Sequence, residues 1–481
     1  MAVGIGLITK AGFRIGKRST SYAYPTTSAL AIAAEQKLTA YDLLPYRNEG
    51  LNEERIFDPV QTLTNTGGVT AQTLTGILGG GRLSCEGWYL GLGQLIACAM
   101  GWENKVYASP LVTSPTFNES AAGIAAGSTS GSVPCTTTRI QSDVTVFHAD
   151  HVGEWLRINT GTPYGDPEDD CQVRRITAVD AAHYYCDITP ALTVEPNINI
   201  PFKIARGFIH LYECAINHHE EAFTYNEGSF NHVRHGTFSL DKRVSLWSWL
   251  AVMVESMTIR LSTEGVFFEF ELVPFCLDRA SALNTTSAAW AYSASPIILQ
   301  ERMRFADSVF RMDDYSSSVA LASADQLGIS AFELTLKNNL SIGDRDTKSG
   351  LYRVQPARMG FRQVSGSFTV PRYTADTRLT KQAADTIQMA DLIITGSLLT
   401  GLAATYNKFE LFLRSLKINA IEANAAGPGV INEVIKFTCL QPAGDPSGMP
   451  SESTGSDNSE MMVRLTNSDP FSAFLEQCAE V

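Results

Sequence analysis

Polar and apolar side chains alternate over long stretches of this chain, and that alternation restricts its fold more than any other feature. Period-two patterns run through residues 257–261, 266–272, 332–336 and 364–370. Successive side chains of a strand point to opposite faces, so each segment can bury one face and leave the other polar. The pattern predicts a mainly β protein made of half-buried strands.

Two stretches have the spacing of a helix instead. Apolar residues at positions 92, 95, 96 and 99 form one stripe within residues 88–100, and positions 379, 383, 387, 390 and 394 form another within residues 379–394. Each stretch follows a strand pattern, at 82–86 and at 363–370. We therefore predict two helices, each directly downstream of a strand.

The same order of elements occurs twice, which indicates an internal repeat. After the first helical stretch come Glu255-Ser-Met-Thr-Ile259, Gly265-Val266 and Cys276-Leu277; after the second come Arg414-Ser-Leu-Lys-Ile418, Gly429-Val430 and Cys439-Leu440. A strand, a helix and a two-stranded hairpin thus recur. The repeat predicts an ancient duplication of one β-rich domain that carries a single helix.

The two copies differ in what separates the helix from the hairpin. The second copy has a short gap at 396–406, whereas the first has a long insert with an Ala, Gly, Ser and Thr-rich linker at 120–137. Strand patterns at 152–158, 172–176 and 183–188 predict a small β domain within the insert. The polar segment 444–459 predicts a mobile loop.

These patterns define three expected domains. They are a discontinuous first domain at 1–108 and 207–300, an inserted β domain at 109–206, and a second domain at 301–481. The nine cysteines form no CxxC pair, so neither a zinc site nor a disulfide framework is indicated. Cys171 and Cys186 can approach each other across a hairpin, but two buried thiols in a reducing compartment are the favoured interpretation.

The charge balance excludes some classes of partner. The formal net charge is −13, from 37 Lys and Arg against 50 Asp and Glu, and no basic run exceeds two residues. Tight nucleic-acid binding needs clustered cations, so it is not expected. No apolar run reaches the length of a membrane span, and Lys17-Arg18 follow the first apolar residues, the wrong order for a secretory signal. We expect no membrane partner and a cytoplasmic site of synthesis.

Possible chemical sites are few, and each has a structural explanation that we favour. The run His218-His219-Glu220-Glu221, with His232 and His235 nearby, lacks HExxH spacing and is interpreted as polar turns. Gly79–Gly81 lacks the spacing of a phosphate loop and predicts close backbone packing. The acidic sets at 166–170 and at Asp344 and Asp346 fit no EF-hand, and Trp247 and Trp249 favour core or interface packing over a sugar platform. We therefore predict no catalytic, cofactor-binding or metal-binding residue, and no enzyme.

Short motifs in both copies resemble the tail tube proteins of long-tailed bacteriophages. The second copy has Phe332-Glu-Leu-Thr-Leu-Lys-Asn-Asn-Leu340 and then Gly360-Phe-Arg-Gln-Val-Ser-Gly-Ser-Phe-Thr-Val370. The first copy has Gly81-Arg-Leu-Ser-Cys-Glu-Gly87, followed by a helical stretch that closes at Met100-Gly101. The resemblance covers most of the chain apart from the insert.

The resemblance implies two tandem tail-tube β-sandwich or barrel domains, each with one helix, and an outward-facing insert. It implies rings stacked into a virion tail tube that conducts DNA during ejection, with a trimeric pseudo-hexameric ring favoured over a hexamer of single chains. Expected partners are further copies of the chain, the tape measure, terminator and distal tail proteins, and double-stranded DNA in transit. Loop 341–353 is the first candidate for ring-to-ring contacts.

Two other classes of protein stay open. A distal tail or baseplate ring protein shares the tube domain but caps the tube, and copy number per particle separates it from a tube subunit. A secreted or surface adhesin or a carbohydrate-active enzyme is the third class, suggested by the many strands and by Trp247 and Trp249. The expected lack of an export signal and the unpaired cysteines argue against it.

Overall fold

The computed structural model of the chain describes residues 10–15, 27–33, 38, 42–59, 72–107, 123–124, 138–141, 147, 149–152, 155–158, 173–182, 185–189, 200–205, 208–214, 235–242, 246–278, 301–373, 376–399, 405–423, 431–450 and 459–468. Among these residues no helix has the length and apolar character needed to cross a membrane.

Strands dominate the described chain, which confirms the predicted mainly β fold. In chain order the strands are β1 Lys10–Ile15, β2 Tyr46–Glu49, β3 Asn52–Pro59, β4 Gln72–Glu86, β5 Gly101–Tyr107, β6 Gly123–Ile124, β7 Arg139–Gln141, β8 Trp155–Ile158, β9 Val173–Val179, β10 Tyr185–Thr189, β11 Ile200–Ala205, β12 Phe208–Cys214, β13 Gly236–Asp241, β14 Leu246–Ser262, β15 Gly265–Val273, β16 Cys276–Asp278, β17 Ser308–Asp314, β18 Ala331–Lys337, β19 Gln363–Val370, β20 Gln388–Leu398, β21 Tyr406–Glu422, β22 Glu433–Cys439 and β23 Met461–Asn467. The α-helices are α1 Ser28–Ala33, α2 Gly93–Met100 and α3 Thr377–Ala383.

The chain forms two compact units. Unit 1 consists of Met1–Trp102, Tyr212–Gly396 and Phe409–Val463, and unit 2 consists of Glu103–Leu211, Ser397–Lys408 and Arg464–Val481. Both sequence repeats lie in unit 1, whereas the strands of the insert lie in unit 2. The assignment of the repeats as separate domains with the predicted boundaries stays a prediction.

Unit 1 contains antiparallel sheets that share two long strands, β4 and β14. Strand β14 bends at Ala251, whose φ is 48°. Its first part pairs with β13 and β16, and its second part pairs with β15 and β18. Aromatic side chains of the second repeat pack between the sheets, with the ring of Phe310 5.0 Å from that of Phe368. The predicted alternation is confirmed, because Phe332, Leu334 and Leu336 are each at most 2% exposed.

Unit 2 contains a separate sheet of six strands in the order β6, β11, β8, β9, β10, β7. The three strands predicted in the insert are present, at slightly shifted bounds. Ile140, Ile176 and Cys186 are fully buried in this unit. The linker predicted at 120–137 lies outside the described residues except for 123–124.

The first predicted helix is confirmed but begins later than the pattern indicated. Helix α2 starts at Gly93, not Trp88, and ends before Gly101, which adopts a left-handed φ of 95°. Gly91 also has a positive φ, and such a residue does not continue a helix. Trp88 instead forms an isolated bridge with Arg302.

The prediction of a helix over residues 379–394 is wrong for most of its length. Helix α3 ends at Ala383, Asp385 adopts a φ of 52°, and β20 begins at Gln388. Strand β20 pairs with all of β17, and its residues 388–392 are buried whichever face they occupy. A strand buried on both faces loses its period-two signal, so its apolar residues imitated a helical stripe.

The glycine run provides close backbone packing, as predicted, and lies inside β4. Gly81 has a φ of 152°, and a Cβ atom there would lie 2.2 Å from the carbonyl oxygen of Gly50. Gly79 faces Trp249, and a Cβ atom there would lie 3.0 Å from the indole ring. Gly81 therefore has room for no other residue, and any side chain at Gly79 would press on the indole of Trp249.

Candidate functional site

A single antiparallel sheet in unit 1 joins strands from both repeats. The pairings give the order β2, β4, β15, β14, β18, β19, β22, β21. The first four strands belong to the first repeat and the last four to the second. One face of this sheet is apolar and buried, and the other is polar.

The two four-stranded halves correspond in register as well as in order. In the first half Ile259 lies opposite Phe268, which lies opposite Cys85. In the second half Ile418 lies opposite Phe437, which lies opposite Gly366. Ile259 and Ile418 are equivalent in the sequence repeat, so the two halves of the sheet share strand order and register at these positions.

The joint between the halves is the pairing of β14 with β18. Seven residue pairs connect these strands, from Ser256 opposite Lys337 to Ser262 opposite Ala331. On the polar face the hydroxyls of Thr258 and Thr335 are 3.0 Å apart, and Arg260 Nε donates to Glu333 Oε2 at 3.0 Å. The joint is therefore an ordinary sheet ladder with matched polar side chains.

A buried turn after β18 fixes the end of this joint. Asn338 Nδ2 donates to Ala99 O of α2 at 2.9 Å and to Val254 O of β14 at 3.0 Å. The backbone N–H of Leu340 donates to Glu255 Oε2 at 2.7 Å. Burial raises the pKa of Glu255, and the Leu340 N–H opposes that rise. The Asn-Asn-Leu motif therefore anchors the second repeat on the first.

The sheet has two outer strands that are equivalent to the two strands of the joint. Strand β2 occupies the place of β18, and residues 415–422 of β21, which include one bulge residue, occupy the place of 256–262 of β14. Within the described residues, the ladders of these segments run to β4 and to β22 respectively. Near the β21 edge, Gln382 of α3 donates to Asn419 O at 3.0 Å and Asp385 pairs with Lys417. The outer strands of an open sheet favour pairing with another chain.

The polar face of the sheet carries balanced charge. On the seven longer strands its cationic residues are Arg82, Arg260, Lys337, Lys417 and Lys436, and its acidic residues are Glu86, Glu269, Glu271, Glu333 and Glu422. Arg260 bridges Glu269 and Glu333, and Lys436 pairs with Glu422. Hydroxyl and amide side chains fill most of the remaining positions. The face is thus polar without an excess of either sign.

The loop at 341–353 contacts the first repeat. Ile77 N donates to Leu351 O at 2.7 Å, and Arg345 and Arg353 donate to the carbonyl oxygens of Thr75 and Gly79. The ring of Tyr352 stacks on Phe275 at 5.1 Å. Much of this loop is therefore bonded to the first repeat of the same chain, while Ile342 is 46% exposed. Its role in ring-to-ring contacts stays a prediction.

Residues singled out in the sequence do not converge on one site. Burial lowers the pKa of His235 to about 4, while His218, His219, Glu220, Glu221 and His232 lie outside the described residues. The Asp346 carboxylate accepts the backbone N–H groups of Lys348 and Ser349, which lower its pKa within a tight turn. Among the described residues no group of three or more His, Cys, Asp or Glu side chains has the geometry to hold a metal ion.

Other flagged residues have structural surroundings. Trp249 is 1% exposed and packs in the core, and Lys242 lies 3.7 Å from the centre of the Trp247 ring. The described cysteines are buried, including Cys186, and Cys171 lies outside the described residues. Within the loop predicted at 444–459, Gly444 O accepts from Tyr315 and Ser447 N donates to Ser316 O, while 451–458 lie outside the described residues.

Sequence reasoning missed the role of Glu255 and Asn338. Both residues lie in motifs that were noticed, Glu255 at the start of the repeated hairpin and Asn338 in the Asn-Asn-Leu turn. A charged residue that directly precedes the apolar alternation was the available signal for Glu255. Nothing in the sequence shows which strand faces this carboxylate.

Comparison with known proteins is consistent with this architecture. No curated protein matches the chain significantly. The family model described as phage tail tube protein matches residues 9–439, which include both repeats and the insert. That family is structural and not enzymatic. The chain belongs to the phage tail tube protein family and is a structural protein of the virion tail.

Proposed function

We propose that this protein polymerises into stacked rings that form the tail tube, the conduit for DNA ejection into the host. The observation that carries the proposal is the eight-stranded sheet, whose two halves join through β14 and β18 and whose outer strands are their equivalents. The same joint, made between β21 of one copy and β2 of the next, continues the sheet around a ring. Three chains then supply six equivalent halves, and we favour this trimer over a hexamer of chains.

The polar face of the sheet lines the channel in this arrangement. Its charges are balanced and largely paired within the wall, so phosphates meet neither a cluster of cations nor a strong repulsion from this face. We expect double-stranded DNA to pass without specific binding. In an electrophoretic mobility assay, assembled protein should not retard duplex DNA at physiological ionic strength, and saturable retardation would contradict this part of the proposal.

Assembly takes place in the host cytoplasm in this proposal, with the tape measure, terminator and distal tail proteins as further partners. The insert faces outward as decoration. Negative-stain electron microscopy of the purified protein at rising concentration tests the central claim. Hollow tubes of constant diameter support it, single unstacked rings favour a distal tail or baseplate ring protein, and compact monomers at every concentration oppose it.

The outer edge of β21 allows a sharper test. Adjacent residues of a strand point their N–H groups toward opposite edges, so Ala420→Pro and Ile421→Pro each remove a donor from a different side. One variant should lose a bond to β22 and unfold at a lower temperature. The other should keep its melting temperature yet fail to form tubes, and tubes from both variants would contradict the strand-to-strand joint.

A further inference from the structure

Two equivalent segments of the repeats differ in what covers them. Residues 72–80 lead into the strand that contains Leu83 and Cys85, and residues 354–362 lead into the equivalent strand of Val364 and Gly366. The first segment is covered by the loop at 341–353, through bonds to Thr75, Ile77 and Gly79. That loop follows Leu340 at the end of the joint.

The equivalent segment of the second repeat exposes two large apolar side chains. Met359 is 77% exposed and Phe361 is 93% exposed. Both lie in a turn with fixed backbone geometry, since Met359 N donates to Asn339 O at 2.8 Å and Asn339 Nδ2 donates to Phe361 O. Asn339 itself adopts a φ of 55°. A rigidly presented aromatic side chain loses little conformational entropy when a partner covers it.

The internal repeat identifies the partner segment. In the second repeat the covering loop follows β18, and in the first repeat the equivalent strand β2 is followed by the hairpin of β3 and β4. This hairpin presents Phe57, which is 49% exposed, and the exposed side chains of Glu54 and Asp58.

We propose that the β3–β4 hairpin of a second copy covers Met359 and Phe361, with Phe57 as its apolar contact. This inference rests on the proposed ring, in which β2 of the second copy pairs with β21. From there the hairpin must cross β21 and β22 to reach β19, three strand spacings or about 14 Å, and the eight residues of β3 extend about 26 Å. The hairpin is therefore long enough to reach.

Photo-cross-linking tests the contact directly. Benzoylphenylalanine placed at Phe361 should cross-link, in assembled protein, to a peptide within residues 52–59, and a mixture of heavy and light isotopic chains should show that the link joins two copies. The same probe at Val319, which is 64% exposed, is the control and should not reach that peptide. Cross-links from position 361 to another region, or only within one chain, overturn the inference while tubes still form.

A substitution provides the second measurement. Phe361→Ser should keep the wild-type melting temperature, because the side chain is almost fully exposed, but should raise the concentration needed for assembly at least about tenfold, which corresponds to about 1.4 kcal/mol. Val319→Ser should leave that concentration unchanged. Wild-type assembly by Phe361→Ser overturns the inference alone, whereas a wild-type protein that never assembles overturns both the inference and the proposed function.

Discussion

Helices α2 and α3 follow equivalent strands of the two repeats, yet they are held in opposite ways. All eight residues of α2 are buried, and none of the seven residues of α3 is. Apolar packing against β1 and β14 holds α2, whereas ion pairs hold α3: Arg378 with Glu433, and Lys381 with Asp313 and Asp314. Equivalent helices of the two repeats are thus held by different interactions, apolar packing for α2 and ion pairs for α3.

The difference follows the state of the neighbouring strand edge. Helix α2 lies beside the closed joint, where Asn338 bonds to the carbonyl of Ala99. Helix α3 lies beside the edge of β21, where Gln382 bonds to Asn419 and Asp385 pairs with Lys417. A helix at a closed joint can be apolar throughout, while a helix at an edge open to water must stay polar. The asymmetry of the repeats therefore marks where the next copy is expected.

The largest effect should come from shortening apolar side chains of the two helices. Leu95→Ala in α2 should lower the free energy of unfolding by about 2–5 kcal/mol, because Leu95 is fully buried and its truncation leaves a cavity. Leu379→Ala in α3 should lower it by only about 0.5 kcal/mol, since Leu379 is 36% exposed. Urea unfolding measures both values, and equal losses would show that the helices are anchored alike.

A smaller effect should come from the ion pairs of α3. Glu433 is fully buried and its carboxylate accepts two bonds from Arg378, so Glu433→Gln should cost about 2 kcal/mol. Lys381 pairs with two largely exposed aspartates, so Lys381→Gln should cost less than about 1 kcal/mol. Thermal unfolding compares both variants with wild type. A Glu433→Gln protein as stable as wild type would show that the ion pair does not anchor α3.

The closed joint should have a pH dependence that comes from Glu255. Burial raises the pKa of this carboxyl in the folded state. The folded state then binds its proton more tightly than the unfolded state, so the stability that this group contributes is present at low pH and is lost as pH rises through the raised pKa. Glu255→Gln removes that titration.

The measurement is the unfolding free energy of wild type and Glu255→Gln from about pH 4 to about pH 8, a range that starts near the ordinary carboxyl pKa. The variant should gain stability relative to wild type as pH rises, and taking the difference cancels the opposite effect of His235. Glu333→Gln, on the polar face of the same joint, is the control. A pH-independent difference would show that Glu255 does not titrate in this range.

The smallest effect should be at the open edge. Gln382→Ala should cost about 0.5 kcal/mol in the unassembled protein, because the bond to Asn419 is exposed to water. Asn338→Ala at the closed joint should cost several times more, since it leaves the buried carbonyls of Ala99 and Val254 without this donor. Chemical denaturation of the two variants gives the ratio of their losses of unfolding free energy. A ratio near one would mean that the two edges are equally covered.

The elements predicted best from sequence are those with one buried and one polar face. Strands β15, β18 and β19 alternate cleanly, and their positions followed from that alternation. Strand β20 was not predicted, because its residues 388–392 are buried on both faces and the spacing of its apolar residues resembled that of a helix. The start of α2 was placed too early because Gly91 interrupts the apolar stripe that continues upstream.

The sequence by itself determined the mainly β fold, the internal repeat and the motifs of a tail tube protein, because side-chain periodicity and local turn residues act over a few positions. Only the tertiary structure decided that β14 and β18 join the repeats, that Glu255 and Asn338 lock this joint, and that Phe361 stays uncovered. The joint and its lock depend on contacts between residues at least 69 positions apart, and no local pattern encodes which distant strand becomes a neighbour.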